Sequence, residues 1–357
     1  MKTFFILGRN PELSRQEILT YLEARNKNSK EILFEENYLI IETEEKFNIQ
    51  ELGGVLKLGT VEFEGNLRDF QNYLNKNEIV PADKFAYSLF GNFEPEILKE
   101  KFKKERKKAV LKHGGRQLKF QSGEKTNISK TRFSLFLHEK NNKIYFGRVT
   151  QDYDYEQIEN RDMNKPTRRE QLAISPRLSK ILINLSGAKP NDLLLDPFCG
   201  VGPILQEALI KNIKVYGIDK DKEAIIDAEK NIKWLKQNYQ INSEYKLENI
   251  DAKKTPDLQF RAIATETPLG KLLKKKQTNE EAEQAIQNFE SFIIPVLRRL
   301  KKSKKPKAKI AITFPVVRRF RVNAKKIAEK SGLKILIGPI EESRPDQFIS
   351  RDILVFE

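Results

Sequence analysis

The residues best placed to do chemistry lie in the run LLLDPFCGVGPILQEAL, Leu193 to Leu209. Its three leucines read as a short buried strand that delivers Asp196 to its carboxyl end. Pro197, Phe198, Cys199, Gly200 and Gly202 form the loop that follows, and Ile204, Leu205, Ala208 and Leu209 recur at the spacing of an amphipathic helix. In an open parallel sheet, ligands sit in the crevice outside the carboxyl ends of the strands. Glycines there let the backbone approach a ligand without a clashing Cβ. A nicotinamide fingerprint, G-x-G-x-x-G, needs a third glycine that this loop lacks. Asp196 instead suits a cationic group, such as the amino group of a methionine moiety. A structural turn without a ligand is the bland alternative, and packing alone accounts poorly for the strand–loop–helix context.

Three further segments open onto the same crevice. KVYGIDKDKEAI puts Asp219 at the end of the next strand, about 20 residues past the glycine loop, where an acid can accept both ribose hydroxyls of an adenosine. Its neighbour Asp221 reads as the cap of the following helix. Asp251, in ENIDAKK after a third strand, is placed for its side chain or adjacent backbone to bind an adenine amine, although aspartate is common in such loops. AIATETPLGK, Ala262 to Lys271, follows the fourth strand. There Glu266 can supply a carboxylate and Thr267 a carbonyl to hold the N–H groups of an amine, while Pro268 stiffens the turn and Leu269 offers an apolar surface.

The elements that must position these residues follow from pattern. From Ser175 onward strands alternate with helices, the signature of a parallel sheet. Ser175 caps and Pro176 opens a helix with Leu178, Ile181, Leu182 and Leu185 inward, and LKILIGPI with SRDILVFE makes a terminal strand pair. A helix from Glu281 to Leu300, strand KIAITFP and a basic helix from Arg318 to Lys330 lie between. Upstream, the pattern predicts an α+β unit over residues 1–60, in which Ser14 and Glu17 form a capping box. A second α+β module is expected over 61–155, containing strand FAYSLFG, a long basic helix from Pro95 to His113, and two strands joined at Lys140–Asn142. Residues 156–176 read as a polar connector.

Composition narrows the function classes. The chain has 357 residues, 39% hydrophobic and 32% charged, without an uncharged apolar stretch of spanning length. Its one cysteine, Cys199, excludes an intrachain disulfide and a cysteine-rich zinc site, and suits a reducing cytoplasm. Neither His113 nor His138 belongs to a cluster that suggests a metal. The formal charge of +16 draws the protein toward polyanions, since phosphate neutralisation by Lys and Arg drives much of nucleic-acid affinity.

On RDMNKPTRRE, SPRLSKILINLSG, DPFCGVG, Asp219 and the motif after the fourth strand, the C-terminal half resembles the THUMP-containing tRNA guanosine-N2-methyltransferases. FFILGRNPELSRQEI and LGGVLKLG are similar to that family's opening ferredoxin-like domain. The resemblance implies a Rossmann-like class I methyltransferase domain over 177–357, its sheet mostly parallel with an antiparallel terminal strand. It implies a ferredoxin-like domain over 1–60 and a THUMP-like RNA-binding domain over 61–155. The implied cofactor is S-adenosylmethionine and the implied partner an RNA, a tRNA above all. One motif departs: where the family usually reads Asp-Pro-Pro-Tyr, this chain reads Glu266, Thr267, Pro268, Leu269, so the acid keeps a longer arm and the stacking aromatic is gone. Ribosomal RNA, DNA and an RNA-binding role with a vestigial catalytic domain are the rival readings.

Overall fold

A computed structural model describes residues 1–114, 133–169, 174–268, 277–343 and 349–357. Internal contacts divide the chain into two units. One comprises Met1–Pro11, Lys27–Ile49 and Val55–Tyr153; the other comprises Glu12–Asn26, Gln50–Gly54 and Asp154–Glu357.

The first unit is built on one eight-stranded sheet. Strand β1 (Lys2–Leu7) leads into helix α1 (Pro11–Ala24), whose body belongs to the second unit. Then come β2 (Ser29–Glu35), β3 (Tyr38–Thr43), β4 (Val55–Gly65), α2 (Leu67–Lys76), β5 (Lys84–Phe90), α3 (Glu96–Lys104), β6 (Lys108–Gly114), β7 (Phe133–Lys140) and β8 (Lys143–Asp152). Their spatial order is β2-β3-β1-β4-β8-β7-β5-β6. The position expected to separate two modules, between residues 60 and 61, falls within β4. The β7–β8 turn is where it was expected, with Asn141 and Asn142 both at positive φ, the backbone of a tight hairpin.

The long basic helix expected from Pro95 to His113 is two elements. Helix α3 stops at Glu105, Arg106 takes a φ of +59°, and Lys108–Gly114 pairs in parallel with β5 at the sheet edge. Ala109 and Val110, expected on the inner face of a helix, lie on that strand, and Val110 is exposed. Tertiary pairing overrides local helix propensity here.

In the second unit α1 is joined by α4 (Tyr155–Asn164), α5 (Pro176–Leu185), β9 (Leu193–Asp196), α6 (Pro203–Ile210), β10 (Lys214–Asp219), α7 (Lys222–Tyr239), β11 (Tyr245–Asn249), β12 (Ala262–Glu266), α8 (Asn279–Ser303), β13 (Ile310–Val317), the short β14 (Phe320–Arg321), α9 (Ala324–Ser331), β15 (Ile335–Glu342) and β16 (Ile349–Phe356). The sheet order is β11-β10-β9-β12-β13-β16-β15. The first five run parallel, and β16 enters antiparallel between β13 and β15. Helices on both faces bury the sheet. One core gathers Leu195, Ile263, Ile293, Leu297, Ile312 and Phe314; the other gathers Leu182, Leu194, Leu205, Leu209, Ala264 and Val355. Burial on both sides explains why these strands read as continuous apolar runs rather than alternating ones.

Two local expectations are corrected. Ser14 lies inside α1 and donates its hydroxyl to the Gly54 carbonyl, while Glu17 is fully buried and accepts from the Gly53 and Gly54 amides, both at 2.7 Å. A capping box became a buried latch because the helix starts earlier, at Pro11. The segment expected as a connector holds helix α4, whose Arg161 is buried against the Glu207 carboxylate at 3.4 Å. Other caps are as expected: Ser175 accepts from Leu178 N, and Asp221 accepts from Glu223 N.

Candidate active site

In the parallel sheet the strand order reverses at β9, with β10 on one side and β12 on the other. That switch point is where doubly wound sheets hold their ligands. The three strands end in Asp196, Asp219 and Glu266. Three acids spread over 70 residues of sequence thus share one sheet edge.

Asp196 is buried at 1% exposure. Its Oδ1 accepts from the Thr265 hydroxyl at 2.6 Å and from Phe198 N at 3.2 Å, while Oδ2 accepts from no described residue. Burial pushes its carboxyl up to about 7, and the neighbouring charges of Asp219 and Glu266 add to the rise. A cation brought among these groups would be welcomed, because it relieves both the desolvation and the repulsion.

The loop that follows is shaped by its glycines. Gly200 has a φ of +51° and nothing stands within 4 Å of where its Cβ would be, so the backbone faces open space. Its amide donates to Asp219 Oδ2 at 3.0 Å. Gly202, at φ +83°, begins α6 without a side-chain cap, and Pro203 takes the first helical position. Pro197 is buried and Phe198 half-buried, its ring 5.7 Å from that of Phe292. Cys199 is buried, and burial pushes its thiol well up, so it serves as packing rather than as a nucleophile. Asp219 Oδ1 takes the Asp221 amide at 2.9 Å, and Asn249 Nδ2 donates to the Asp219 carbonyl. Asp251 caps the 3₁₀ turn Ala252–Lys254 through Oδ1, which accepts from Lys253 N at 2.8 Å.

On the β12 side, Thr267 is buried and locked to Thr313, donating its hydroxyl to the Thr313 carbonyl at 2.7 Å and its amide to the Thr313 hydroxyl at 3.2 Å. Pro268 is exposed. Leu269 lies outside the described residues, as do Lys274–Lys276. Glu266 does not stand alone: Arg351 Nε, on β16, donates to its Oε1.

With the geometry in place, the likeness to known proteins is direct. The family model described as UPF0020, RMKL-like, methyltransferase domain matches residues 166–293. A tRNA (guanine(10)-N2)-dimethyltransferase of Pyrococcus abyssi is 25% identical over 341 residues, 93% of this chain and 92% of its own. The enzyme of that name from Methanocaldococcus jannaschii is 24% identical over 306 residues, 76% and 83% of the two chains. The crystal structure of TrmN from Thermus thermophilus superposes with a TM-score of 0.54 at 12% identity, covering 100% of this chain and 99% of that one. The chain is a class I methyltransferase, similar over most of its length to tRNA (guanine(10)-N2)-dimethyltransferases.

The methyl donor of such a methyltransferase is S-adenosylmethionine, and the residues present fit it. A donor that carries a sulfonium and an ammonium meets Asp196, buried with an oxygen to spare, and Asp219, beside a glycine backbone open to a ligand. Several supports of this methyltransferase site escaped the sequence. Asn231, fully buried on α7, donates to the carbonyls of Thr167 and Val201 and accepts Thr167 N at 2.9 Å, tying the strap of residues 165–169 to the glycine loop. Arg169 of that strap pairs with Asp221 at 2.8 Å and Asp227 at 3.3 Å. A hydroxyl in an apolar strand was the signal that could have found Thr265; Arg351 carried no local signal, being 85 residues from Glu266. Among the described residues no group of His, Cys, Asp and Glu is arranged for a metal ion, and no helix is long and apolar enough to cross a membrane.

Proposed function

We propose that this methyltransferase transfers a methyl group to the exocyclic N2 amine of a guanosine in tRNA. The family supplies the acceptor class, and the observation that carries the reading is the meeting of Asp196, Asp219 and Glu266 at three adjacent strand tips. When bound, S-adenosylmethionine supplies an electrophilic methyl group on a sulfonium. Asp196, with Pro197, Phe198, Cys199, Gly200 and Gly202, forms the wall on the donor's amino-acid side. Asp219 takes the ribose hydroxyls, and Asp251 with its turn faces the adenine. Glu266 and the Thr267 carbonyl hold the N2 hydrogens so that the nitrogen lone pair faces the methyl carbon in line, and Glu266 is placed to take the proton that N2 sheds as the new N–C bond forms. Pro268 stiffens the exit of the strand, and Leu269 gives the base an apolar contact.

Residues 1–60 as a ferredoxin-like module and 61–155 as a THUMP-like module, followed by the 156–176 segment and the methyltransferase domain at 177–357, complete the reading. The excess of 66 Lys and Arg over 50 Asp and Glu supports RNA as the partner, and a single buried thiol is at home in the cytoplasm.

The test is methyl transfer from labelled S-adenosylmethionine to bulk tRNA, followed by digestion to nucleosides. The expected product is N2-methylated guanosine. A Glu266→Ala enzyme is expected to lose transfer by about 100-fold or more while binding the cofactor normally. Loss of both would move Glu266 out of the acceptor role.

A further inference from the structure

We propose that Arg351 is a specificity-determining residue, and that with Glu266 it reads the Watson–Crick edge of the acceptor base; this rests on the guanosine reading above. The register of the sheet brings the two together. Glu266 lies opposite Thr313 on β13, Thr313 lies opposite Ile353 on β16, and Arg351 lies opposite Pro315, two residues further toward the carboxyl end of β13. Because β16 runs antiparallel to the others, its beginning stands where they end. An arginine near its start therefore reaches the sheet edge that holds Asp196, Asp219 and Glu266, and its Nε donates to Glu266 Oε1.

The pair is nearly closed off from solvent, with side-chain exposures of 5% for Arg351 and 12% for Glu266. A buried ion pair is a poor device for stability, since apolar side chains of similar volume do as well. At a ligand crevice it does something apolar side chains cannot: it presents carboxylate acceptors beside guanidinium donors. The Watson–Crick edge of guanine offers the complement, two neighbouring donors at N2–H and N1–H followed by an acceptor at O6. Glu266 matches the two donors and Arg351 the O6. Adenine sets an acceptor, N1, against the carboxylate and loses both contacts. Bases taken out of a stack are read through this edge, and charge-assisted hydrogen bonds are the strongest available for it. The longer arm of Glu266, where the family usually has aspartate, lets the carboxylate meet Arg351 while still standing at the strand tip.

The experiment uses the full chain and a tRNA carrying either guanosine or 2-aminopurine at the modified position, once nucleoside mapping has located it. 2-Aminopurine keeps the exocyclic amine and lacks O6 and N1–H. Wild-type enzyme is expected to prefer guanosine in kcat/KM by tenfold or more. Arg351→Ala is expected to lose tenfold or more on guanosine and little on 2-aminopurine, so that the preference shrinks toward one, while Arg351→Lys recovers part of it. Cofactor affinity, measured on each variant as a check of folding, is expected to stay within twofold. Equal losses on both bases, or loss of cofactor binding in both the alanine and lysine variants, would make Arg351 a structural partner only and overturn the proposal. A wild-type enzyme that methylates a base other than guanosine would overturn the underlying reading and this one with it.

Discussion

Asp196 shows how one residue can serve fold and ligand at once. Its carboxyl is held near neutrality by burial and by two neighbouring acids, yet it also fastens the loop through Phe198 N and the sheet through Thr265. In the folded protein its proton is kept up to about pH 7, whereas the unfolded chain releases it near the ordinary aspartate value of 3.8. Its contribution to stability is therefore present below about pH 4 and is lost as pH rises through 7. The cofactor's ammonium and sulfonium favour the ionised form, so binding follows the opposite trend. Affinity for S-adenosylmethionine is expected to rise about tenfold between pH 6 and 8, and Asp196→Asn should flatten that rise. Isothermal titration across this range checks both.

The elements around the site are joined by buried polar links rather than by packing alone. Helix α1 is the clearest case. Glu17 accepts two backbone amides from the Gly53–Gly54 turn and the Asn184 amide at 2.6 Å, while Lys211 donates to the Glu51 carbonyl and to Asn184. Burial raises the Glu17 carboxyl and pulls the Lys211 ammonium down to about 8. Glycine is required at the turn: a Cβ on Gly53 would stand 2.1 Å from the Arg177 carbonyl. Glu17→Ala leaves two buried amides without an acceptor, at about 1–3 kcal/mol each. A lower denaturant midpoint with an unchanged slope is the expected result. It would come with weaker cofactor binding only where the protein is partly unfolded. No change in midpoint would mean that water replaces the carboxylate. Although it stands near the start of the chain, α1 is thus part of the methyltransferase unit, a membership that neither its sequence position nor its capping pattern announced.

At the scale of the whole molecule, charge is the property that bears on substrate. A formal +16 is spread over 357 residues, and many of the cations already face acids, as Lys107 faces Glu78 and Arg148 faces Glu62. Those that remain for phosphates bind by releasing counterions, so affinity for tRNA is expected to fall by about tenfold or more between roughly 50 and 200 mM salt. Cofactor affinity, set at a partly buried site, should change little over the same range. Filter binding and cofactor titration in parallel distinguish the two, and a salt-independent tRNA affinity would contradict an electrostatic grip.

What the sequence determined by itself was local: the strand–DPFCGVG–helix unit, the acid ending each of the strands β9, β10 and β12, the caps at Ser175 and Asp221, and the alternation that calls for a parallel sheet. These are legible because they depend on neighbours a few residues away. The tertiary structure alone decided that Lys108–Gly114 is a strand, that Glu17 is a latch rather than a cap, and that Glu266 meets Arg351. Each of those outcomes turns on a partner brought in from far along the chain, and no local pattern encodes which distant backbone or charge will arrive.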